Sequence, residues 1–473
     1  MPALLRMLRL MKESRRDAAL PLEDLRALQR RRLTAMVAHA QARSPYYRER
    51  LAGIDPEKVR LEELPVLDKA TLMERWDDIV TDPELRLAEI ERFMADPANE
   101  GARYRGNVLV RTSGTSGQPV IVAYSPEAFD HVRAVSLGRG GMVDASGGRI
   151  LLRALDPTPL KMACVLMDGG FAPSHANFLH QPAASRWFIR VERISLRLPL
   201  DEIVARLNRY RPRVLFAYPS VLELLCGEAR AGRLTILRQA RARIVSLSEP
   251  LSPRLREELH AAFGVPVFDL YGAGECLPMA RSCARECGLH VNVDLCAVEV
   301  VDDSWYPVPE GACGTRVLVS NLFNPLLPLL RYELKDAVAM TSDPCACGSQ
   351  LPRLLSIRGR TDHVLWLAHP DGRARALHPT LVLETLLPFE AVRDWRLVQE
   401  APDRLRLDLV LPPGREGEAR VALDAVRQAV MSVVPGAAVS LQQRLLPRLE
   451  PDPGSGKVRR IVPLGAGGVS DTE

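Results

Sequence analysis

A short segment rich in glycine and hydroxyl side chains is the first part of this sequence whose residue types suggest chemistry. It reads Arg111-Thr112-Ser113-Gly114-Thr115-Ser116-Gly117-Gln118-Pro119. Small residues let backbone N–H groups approach a phosphate closely, and neighbouring hydroxyl groups add further donors. The segment matches neither a Walker A loop, nor a GxSxG nucleophile elbow, nor a GxGxxG turn. Its composition therefore indicates a phosphate-binding loop of another type, with an ordinary surface turn as the alternative.

Cysteine and histidine residues in two separate segments form a second group. Cys345 and Cys347 lie in a CxCG pattern after a proline, and Cys283, Cys287 and His290 lie upstream. Thiolate sulfur and imidazole nitrogen are the ligands of structural, tetrahedral Zn²⁺ sites. A CxC pair is a weak signal by itself, but with the upstream residues it predicts a zinc site. Buried, reduced cysteines are the alternative interpretation.

Alternating strand and helix patterns must position these residues. Residues 1 to about 100 show helical patterns, and a short strand then precedes the glycine-rich loop. From residue 149 to about 300, apolar runs of strand length alternate with helical patterns, which is typical of an α/β domain. The segment SPRLREELHAAFG predicts a helix, with Ser252 as its N-cap, Pro253 in its first turn and Gly264 at its end. The strand-like runs are RILLRAL, RVLFAYPS, ARIVSLS, VPVFDLYG and CAVEVVD.

The composition changes after Arg360. Two short strand patterns, an amphipathic helix pattern and another strand pattern follow, and a loop rich in Gly, Pro and Asp then carries Lys457. We therefore predict a large N-terminal domain over residues 1–358 and a small α+β domain over 359–473, joined by a hinge near 358–363. Lys457 is one of only six lysines in the chain, against 57 arginines, so its place in this loop is informative.

Length and composition exclude several classes of protein. The chain has 473 residues, 47% hydrophobic and 26% charged, which is typical of a globular protein of two to four domains. The formal net charge is +5 without a basic block, so nucleic-acid binding is not expected. We also expect no membrane span, because no run of about 18 uncharged apolar residues occurs. Nine cysteines without a signal peptide indicate reduced thiols and a cytoplasmic location.

Six motifs occur in the order that is found in the adenylate-forming enzymes. In detail the chain resembles their phenylacetate–CoA ligase-like branch, which includes the coenzyme F390 synthetase-like proteins. The resemblance extends from the segments SPYYRERL and LPVLDK to Lys457 and implies a large α/β domain followed by a small, mobile lid domain. The motifs are the loop at 112–117, SLSEP at 246–250, FDLYGAGE at 268–275, LLRYELKD at 329–336, RGRTD at 358–362 and GSGK at 454–457.

The resemblance implies activation of a carboxylic acid by ATP, followed by transfer of the acyl group from an acyl-adenylate to coenzyme A. The Glu249-Pro250 segment would lie beside the adenine, on which Tyr271 would stack next to Gly272, and Glu275 would hold Mg²⁺. The loop that would bind the β- and γ-phosphates comprises Thr112, Ser113, Gly114, Thr115, Ser116 and Gly117.

The same resemblance assigns roles to four later residues. Asp336 would accept the ribose hydroxyls, Arg360 would reach the ribose or a phosphate, and Asp362 would serve as the hinge residue. Lys457 would bridge the carboxylate and the α-phosphate in the adenylation transition state. For the metal, the branch pattern selects four structural zinc ligands, and Cys287 remains a spare that could replace Cys283 or His290. These four ligands are Cys283, His290, Cys345 and Cys347.

Three departures from the family pattern support a nucleotide-binding protein without catalysis as one alternative, and the motifs do not distinguish between acyl acceptors. Gln118 replaces a usual lysine, Gly274 replaces a usual threonine, and Leu334-Lys335 replaces a usual Thr-Gly pair. The leading interpretation is an acid–CoA ligase. Its substrate would be an aromatic or apolar acid bound by residues between about 125 and 275, and a homodimer is the default expectation for an enzyme of this size. The second passes the acyl group to an amine, a hydroxyl or a carrier-protein thiol. The third is a nucleotide-binding protein without catalysis.

Overall fold

The structure is a computed structural model. It describes residues 2–112, 119–139, 159–166, 171–180, 188–196, 198–283, 285–360, 365–370, 375–377, 379–386, 388–389, 391–436, 438–450 and 458–464. These residues form two compact units. The first is built by the chain up to Leu334 and by Val338–Ile357, and the second by Lys335–Ala337 and the chain from Arg358 onward.

Helices of the first unit cover its sheets and supply its N-terminal part. They are α1 (Pro2–Ala18), α2 (Leu22–Arg43), α3 (Pro45–Arg50), α4 (Lys69–Glu74), α5 (Trp76–Ile79), α6 (Leu87–Ala95), α7 (Pro126–Arg139), α8 (Pro173–Leu179), α9 (Leu200–Tyr210), α10 (Pro219–Arg230) and α11 (Pro253–Phe263). The helix predicted from SPRLREELHAAFG is confirmed as α11. The Ser252 hydroxyl accepts a hydrogen bond from the Leu255 N–H, and Gly264 ends the helix with a φ of 63°. None of the described helices is long and apolar enough to cross a membrane.

Strands of the first unit form three sheets. They are β1 (Val108–Arg111), β2 (Ile121–Tyr124), β3 (Leu160–Leu166), β4 (Ile189–Ser195), β5 (Val214–Ala217), β6 (Arg243–Leu247), β7 (Val267–Ala273), β8 (Cys276–Ser282), β9 (Leu289–Val291), β10 (Cys296–Val301), β11 (Arg316–Asn321), β12 (Tyr332–Leu334), β13 (Asp336–Thr341) and β14 (Arg353–Arg360). The largest sheet has nine strands in the order β13-β14-β9-β8-β7-β6-β5-β3-β4, and the smaller ones are β1-β2 and β10-β11-β12.

The centre of the nine-stranded sheet is the predicted α/β framework. Strands β4, β3, β5, β6 and β7 run parallel, and helices α9, α10 and α11 connect successive strands. Parallel strands need such crossover helices, and their apolar residues are buried by them. This confirms the predicted α/β class and the strands predicted in RVLFAYPS, ARIVSLS and VPVFDLYG. The run RILLRAL lies outside the described residues.

Helix α1 packs on helix α7 through an apolar contact. Met7, Leu10 and Met11 are buried in a small cluster with Ala134, and Leu137 packs against them. Residues three and four apart lie on one face of a helix, so a single stripe of α1 supplies this contact.

A buried ion pair strengthens the same region. Arg139, the last residue of α7, lies 2.7 Å from Asp294, and each side chain is only 1% exposed. The Arg139 guanidinium also donates to the carbonyl of Ser14 in α1, at 2.8 Å, and to the side chain of Asn292. Burial raises the pKa of the Asp294 carboxyl, but the adjacent Arg139 guanidinium lowers it more, so that this pKa lies below its ordinary value. The pair therefore fixes the end of α7 to the segment before β10.

The second unit contains a four-stranded mixed sheet with two helices and a separate β-hairpin. Its elements are β15 (Leu365–Leu367), β16 (Arg375–Leu377), α12 (Pro379–Leu386), β17 (Asp394–Ala401), β18 (Arg404–Val410), α13 (Glu416–Val433), β19 (Ser440–Leu445) and β20 (Ile461–Val462). The sheet order is β19-β18-β17-β20. The strand and helix patterns predicted after residue 390 are confirmed. The domain boundary between residues 358 and 359 stays a prediction, because compact units need not fold or move separately.

Candidate nucleotide and metal sites

The base of the glycine-rich loop is closed by two hydrogen bonds. The Thr112 N–H donates to the Val120 carbonyl at 2.9 Å, and the Val120 N–H donates to the Thr112 hydroxyl at 2.9 Å. The neighbouring Arg111 N–H donates to the Phe171 carbonyl. The two ends of the loop are therefore held together next to strands β1 and β2. The predicted phosphate ligands Ser113, Gly114, Thr115, Ser116 and Gly117 lie outside the described residues.

The carboxyl ends of the parallel strands bring the predicted adenine segments to one edge of the sheet. Strand β6 leads into Glu249-Pro250, and the neighbouring strand β7 contains Tyr271, which is half-buried. This edge is where open α/β sheets bind their ligands. The Glu249 carboxylate accepts hydrogen bonds from the N–H of Ser220 at 3.0 Å and from its hydroxyl at 3.1 Å, in the first turn of α10. The Glu249 side chain therefore stabilises the N-terminal turn of helix α10.

Two glycines allow close approaches within the YGAGE segment. A Cβ atom on Gly272 would lie 2.0 Å from the Leu277 carbonyl oxygen, so a side chain cannot be accommodated there. A Cβ on Gly274 would lie 2.8 Å from the Thr112 Cγ2 and 3.3 Å from Pro173. The absence of the usual threonine at position 274 thus has a steric reason. The segment before Glu275 contacts the base of the loop directly.

Glu275 is a buried carboxylate held by a tyrosine. It is only 5% exposed, and its Oε1 accepts a hydrogen bond from the Tyr332 hydroxyl at 2.9 Å. The Asn321 side-chain amide donates to the Glu275 main-chain carbonyl at 3.0 Å. Sequence reasoning did not identify Tyr332, although the residue lies within the LLRYELKD motif. No periodic pattern marks a single phenol that reaches across 57 residues to its partner.

The remaining predicted nucleotide ligands are only partly described. Asp336 is half-buried and begins strand β13, and Arg360 is the last residue of β14. Asp362 and Lys457 lie outside the described residues. The roles of these four residues stay predictions.

The structure brings the four selected metal ligands together. The ligand atoms of Cys283, His290, Cys345 and Cys347 all lie within 4.8 Å of one another. The two sulfur atoms of Cys283 and Cys345 are 3.5 Å apart, and the His290 Nε2 lies 3.2 Å from the Cys347 sulfur. In a tetrahedral site with Zn–S bonds of about 2.3 Å, two sulfur atoms lie about 3.8 Å apart. The donor set and its dimensions therefore fit a tetrahedral Zn²⁺ ion without an open position.

Neighbouring groups prepare these residues for a metal. The His290 Nδ1 lies 3.1 Å from the Leu351 carbonyl, which leaves Nε2 to face the thiols. Burial lowers the pKa of His290 below its ordinary value, which favours the neutral imidazole that a metal requires. Cys287 is not part of the group, and its sulfur instead lies 3.2 Å from the Arg285 carbonyl.

Asp269, two residues before Tyr271, gives a prediction for the pH dependence of stability. The residue is 7% exposed, and burial raises the pKa of its carboxyl to about 6. Between about pH 4 and 6 the folded protein thus binds more protons than the unfolded chain, and the free energy of unfolding falls as the pH rises. The Asp269→Asn variant lacks this loss and should be more stable than the natural protein by about 1–3 kcal/mol at pH 8. Urea unfolding at pH 5 and pH 8 measures the difference.

Asp201→Asn is the control for this experiment because Asp201 is an exposed residue of α9. It should leave the stability difference between the two pH values unchanged. His180, whose pKa burial lowers to about 4, titrates alike in all three proteins and cancels in the comparison. An Asp269→Asn variant that gains no stability between pH 5 and pH 8 relative to the natural protein would contradict the prediction.

Several known proteins are similar to this chain in sequence or in fold. The family model described as AMP-binding enzyme matches residues 163–319. The chain is 29% identical to a phenylacetate-coenzyme A ligase of Thermus thermophilus over 94% of this chain and 98% of that protein. It is 25% identical to a phenylacetate-coenzyme A ligase of Aromatoleum evansii over 77% of this chain and 76% of that protein. The fold is shared with the structure of a 2-hydroxyisobutyryl-CoA ligase bound to its acyl-adenylate. The two structures match over 95% of this chain and 91% of that chain, with a TM-score of 0.65 and 20% sequence identity.

Residues 163–319 thus match the AMP-binding enzyme family, and the chain as a whole is similar to phenylacetate-coenzyme A ligases.

Proposed function

We propose that this protein uses ATP to convert a carboxylic acid into an acyl-adenylate and then transfers the acyl group to coenzyme A. The observation that carries the proposal is the contact between Gly274 and Thr112, which places the residue just before the buried Glu275 against the base of the glycine-rich loop. A phosphate-binding loop and a carboxylate that can hold magnesium are the parts that a nucleoside triphosphate with its magnesium ion needs.

Each part of the site has a separate task in this proposal. The loop at 112–117 binds the β- and γ-phosphates, and Tyr271 stacks on the adenine, while Asp336 and Arg360 bind the ribose. Glu275 holds Mg²⁺, which neutralises phosphate oxygens when it is bound. Lys457 donates to the carboxylate and the α-phosphate as charge develops between them.

Aromatic side chains form a packed group near this segment. The Tyr124 hydroxyl donates to the Gly274 carbonyl at 2.8 Å, and its ring lies 6.0 Å from that of Phe129 and 6.3 Å from that of Phe323. The His180 ring lies 5.9 Å from Phe129 in an edge-to-face arrangement. Tyr124 and Phe129 are fully buried, and rings at these distances pack favourably on one another. We propose an arylacetic acid as the substrate because the curated relatives are named for phenylacetate.

The proposed acyl acceptor is coenzyme A, as in the named relatives. A carrier-protein thiol and a homodimer remain predictions without a supporting contact in the described residues. We also propose that the cluster of Cys283, His290, Cys345 and Cys347 holds a structural Zn²⁺ ion. With four protein ligands this ion would join the β8–β9 turn to the turn before β14.

Acid-dependent release of pyrophosphate tests the function. Purified protein is incubated with ATP, Mg²⁺ and one acid from a panel that includes phenylacetate, benzoate and aliphatic acids, and a sample without acid is the control. Each reaction is run with and without coenzyme A. We expect release with arylacetic acids, a higher turnover when coenzyme A is added, and a thioester product. Release that coenzyme A does not accelerate would point to another acceptor. Bound ATP with no release for any acid would favour a non-catalytic nucleotide-binding protein.

Loss of the Tyr332 hydroxyl should weaken the use of Mg²⁺. In Tyr332→Phe the Glu275 carboxylate loses a 2.9 Å hydrogen bond, and a buried charged group that loses one of its donors is less well positioned. We expect the Mg²⁺ concentration at half-maximal adenylation to rise by about 3- to 10-fold, since a lost hydrogen bond to a charged group costs on the order of 1–2 kcal/mol. The measurement is ATP–pyrophosphate exchange over a Mg²⁺ titration.

Tyr47→Phe is the matched control. The Tyr47 hydroxyl is also buried, in the same core, and donates to the Pro328 carbonyl at 3.1 Å, but it does not contact Glu275. This variant should lose stability and keep the Mg²⁺ dependence of the natural protein. If both variants shift the Mg²⁺ titration equally, Tyr332 has no special relation to the metal.

A further inference from the structure

One arginine in the sheet of the second unit joins the two described ends of the segment that contains Lys457. Arg396 lies in the central strand β17 and is only 3% exposed. Its Nη2 donates to the Glu450 carbonyl at 2.7 Å, and its Nε donates to the Arg459 carbonyl at 2.9 Å. Glu450 and Arg459 are described residues on either side of 451–457. A single planar guanidinium group therefore fixes the separation of these two main-chain positions.

The two hydrogen bonds of Arg396 are separate from the neighbouring ion pairs. The buried Asp408 carboxylate in the next strand already accepts hydrogen bonds from Arg406, at 2.9 Å, and from Arg444, at 3.0 and 3.1 Å. Arg396 instead directs its donors to the two main-chain carbonyls. The rigid fork of a guanidinium group can serve two acceptors in a fixed geometry, which the single ammonium group of lysine does not reproduce.

The chain after the segment is bonded further to the same strand. The Leu397 N–H donates to the Arg460 carbonyl at 2.8 Å, and the Arg460 Nε lies 3.0 Å from the Asp394 carboxylate. Strand β20 then pairs with β17 in parallel. The exit of the segment thus has several anchors in β17, and Arg396 ties the entrance at Glu450 to this anchored exit.

We propose that Arg396 is a positioning residue for Lys457. Because Arg396 fixes the main chain at Glu450 and Arg459, its loss should impair the adenylation step, in which Lys457 acts as charge develops between the carboxylate and the α-phosphate. The proposal rests on the proposed function and on the role of Lys457 within it. A displacement of about 1 Å can cost on the order of 10²-fold in rate, so loss of the clamp should be visible in this half-reaction.

The test separates the two half-reactions in Arg396→Met, which keeps an aliphatic stem and loses both hydrogen bonds, and in the milder Arg396→Lys. Acid-dependent ATP–pyrophosphate exchange should fall by about 10- to 100-fold in kcat for Arg396→Met, with the KM for ATP changed by less than about 3-fold. Formation of thioester from synthetic acyl-adenylate and coenzyme A should remain within about 2-fold of the natural rate, because that step does not need the lysine charge at the α-phosphate. Arg396→Lys should show the same selective loss with less effect on the melting temperature.

A double-mutant cycle with Lys457→Ala decides whether Arg396 acts through the lysine. If it does, Arg396→Met should reduce the residual exchange of Lys457→Ala by less than about 2-fold. The control is Arg406→Met, which removes an ion pair with Asp408 in the adjacent strand but no contact to the ends of the segment. It should show no selective loss of adenylation.

Three results would overturn the proposal. These are equal losses in both half-reactions for Arg396→Met and Arg396→Lys, an additive loss in the Lys457→Ala background, and full exchange activity in Lys457→Ala itself. A natural protein that catalyses no exchange with any acid, although it binds ATP, would overturn the proposed function as well. That outcome is distinguished from the other three before any variant is made.

Discussion

Replacing Lys457 with alanine should reduce the rate of acyl-adenylate formation by about 10²–10³-fold, which is the typical cost of removing one donor from developing transition-state charge. The expected loss is large because the attack of a carboxylate on the α-phosphate brings two negative groups together. A cation that interacts more strongly with the transition state than with the bound acid and ATP lowers this barrier directly. The measurement is acid-dependent ATP–pyrophosphate exchange at saturating Mg²⁺.

The role of the lysine predicts a specific kinetic pattern. The kcat for exchange should fall while the KM for ATP changes little, since the donor acts mainly in the transition state. Lys457→Arg should not restore the rate, because a guanidinium group differs from ammonium in size and geometry. Lys58→Ala, at an exposed lysine paired with Asp55, is the control for loss of a positive charge and should be fully active. Exchange in Lys457→Ala above about one third of the natural rate would exclude this assignment.

Removing the proposed zinc ion should destabilise the first unit strongly. The four ligands belong to two chain segments 55 or more residues apart, and a bound ion stabilises the folded arrangement that brings them together. We expect Cys345→Ser to contain less than one equivalent of zinc and to lose about 3–5 kcal/mol of stability, or roughly 10 °C in melting temperature. Metal analysis of the purified protein and thermal unfolding with and without a chelator measure both effects.

The chain offers closely matched controls for the metal experiment. Cys287→Ser changes a thiol that lies three residues before His290 and outside the cluster, so metal content and melting temperature should stay unchanged. Cys313→Ser tests an exposed cysteine in the same way. A natural protein without zinc whose melting temperature does not respond to chelator or to added Zn²⁺ would show that the four residues are a cluster of reduced thiols and a histidine. Loss of zinc in Cys287→Ser would instead assign that thiol to the site.

Local patterns in the sequence predict those parts of the protein in which neighbouring residues cooperate. The cap and stop residues of helix α11 and the apolar runs of β5, β6 and β7 are of this kind. The metal ligands were also predictable, because few residue types bind zinc and their spacing follows the branch pattern. The steric reason for glycine at position 274 could not be predicted, because it depends on contact with Thr112, a residue far away in the chain.

The positioning residues escaped prediction for a related physical reason. Tyr332 and Arg396 act through hydrogen bonds to partners that are 54 to 63 residues away, and such contacts impose no period on the sequence. Arginine is the common cation of this chain, which hides the few that have a particular structural task. Only the folded structure shows that Arg396 bonds to two carbonyls and that Arg406 bonds to carboxylates.

The buried pair of Arg139 and Asp294 also has a consequence for how the chain is made. Its partners are 155 residues apart, and Ser14, whose carbonyl binds Arg139, lies 125 residues from it. At about 5–20 residues per second, a ribosome needs roughly 15 to 60 seconds between the synthesis of Ser14 and that of Asp294. Until then the Arg139 guanidinium lacks the carboxylate that neutralises it. Helices α1 and α7 can therefore pack together early in synthesis, but they are joined to the segment before β10 only after Asp294 has been made.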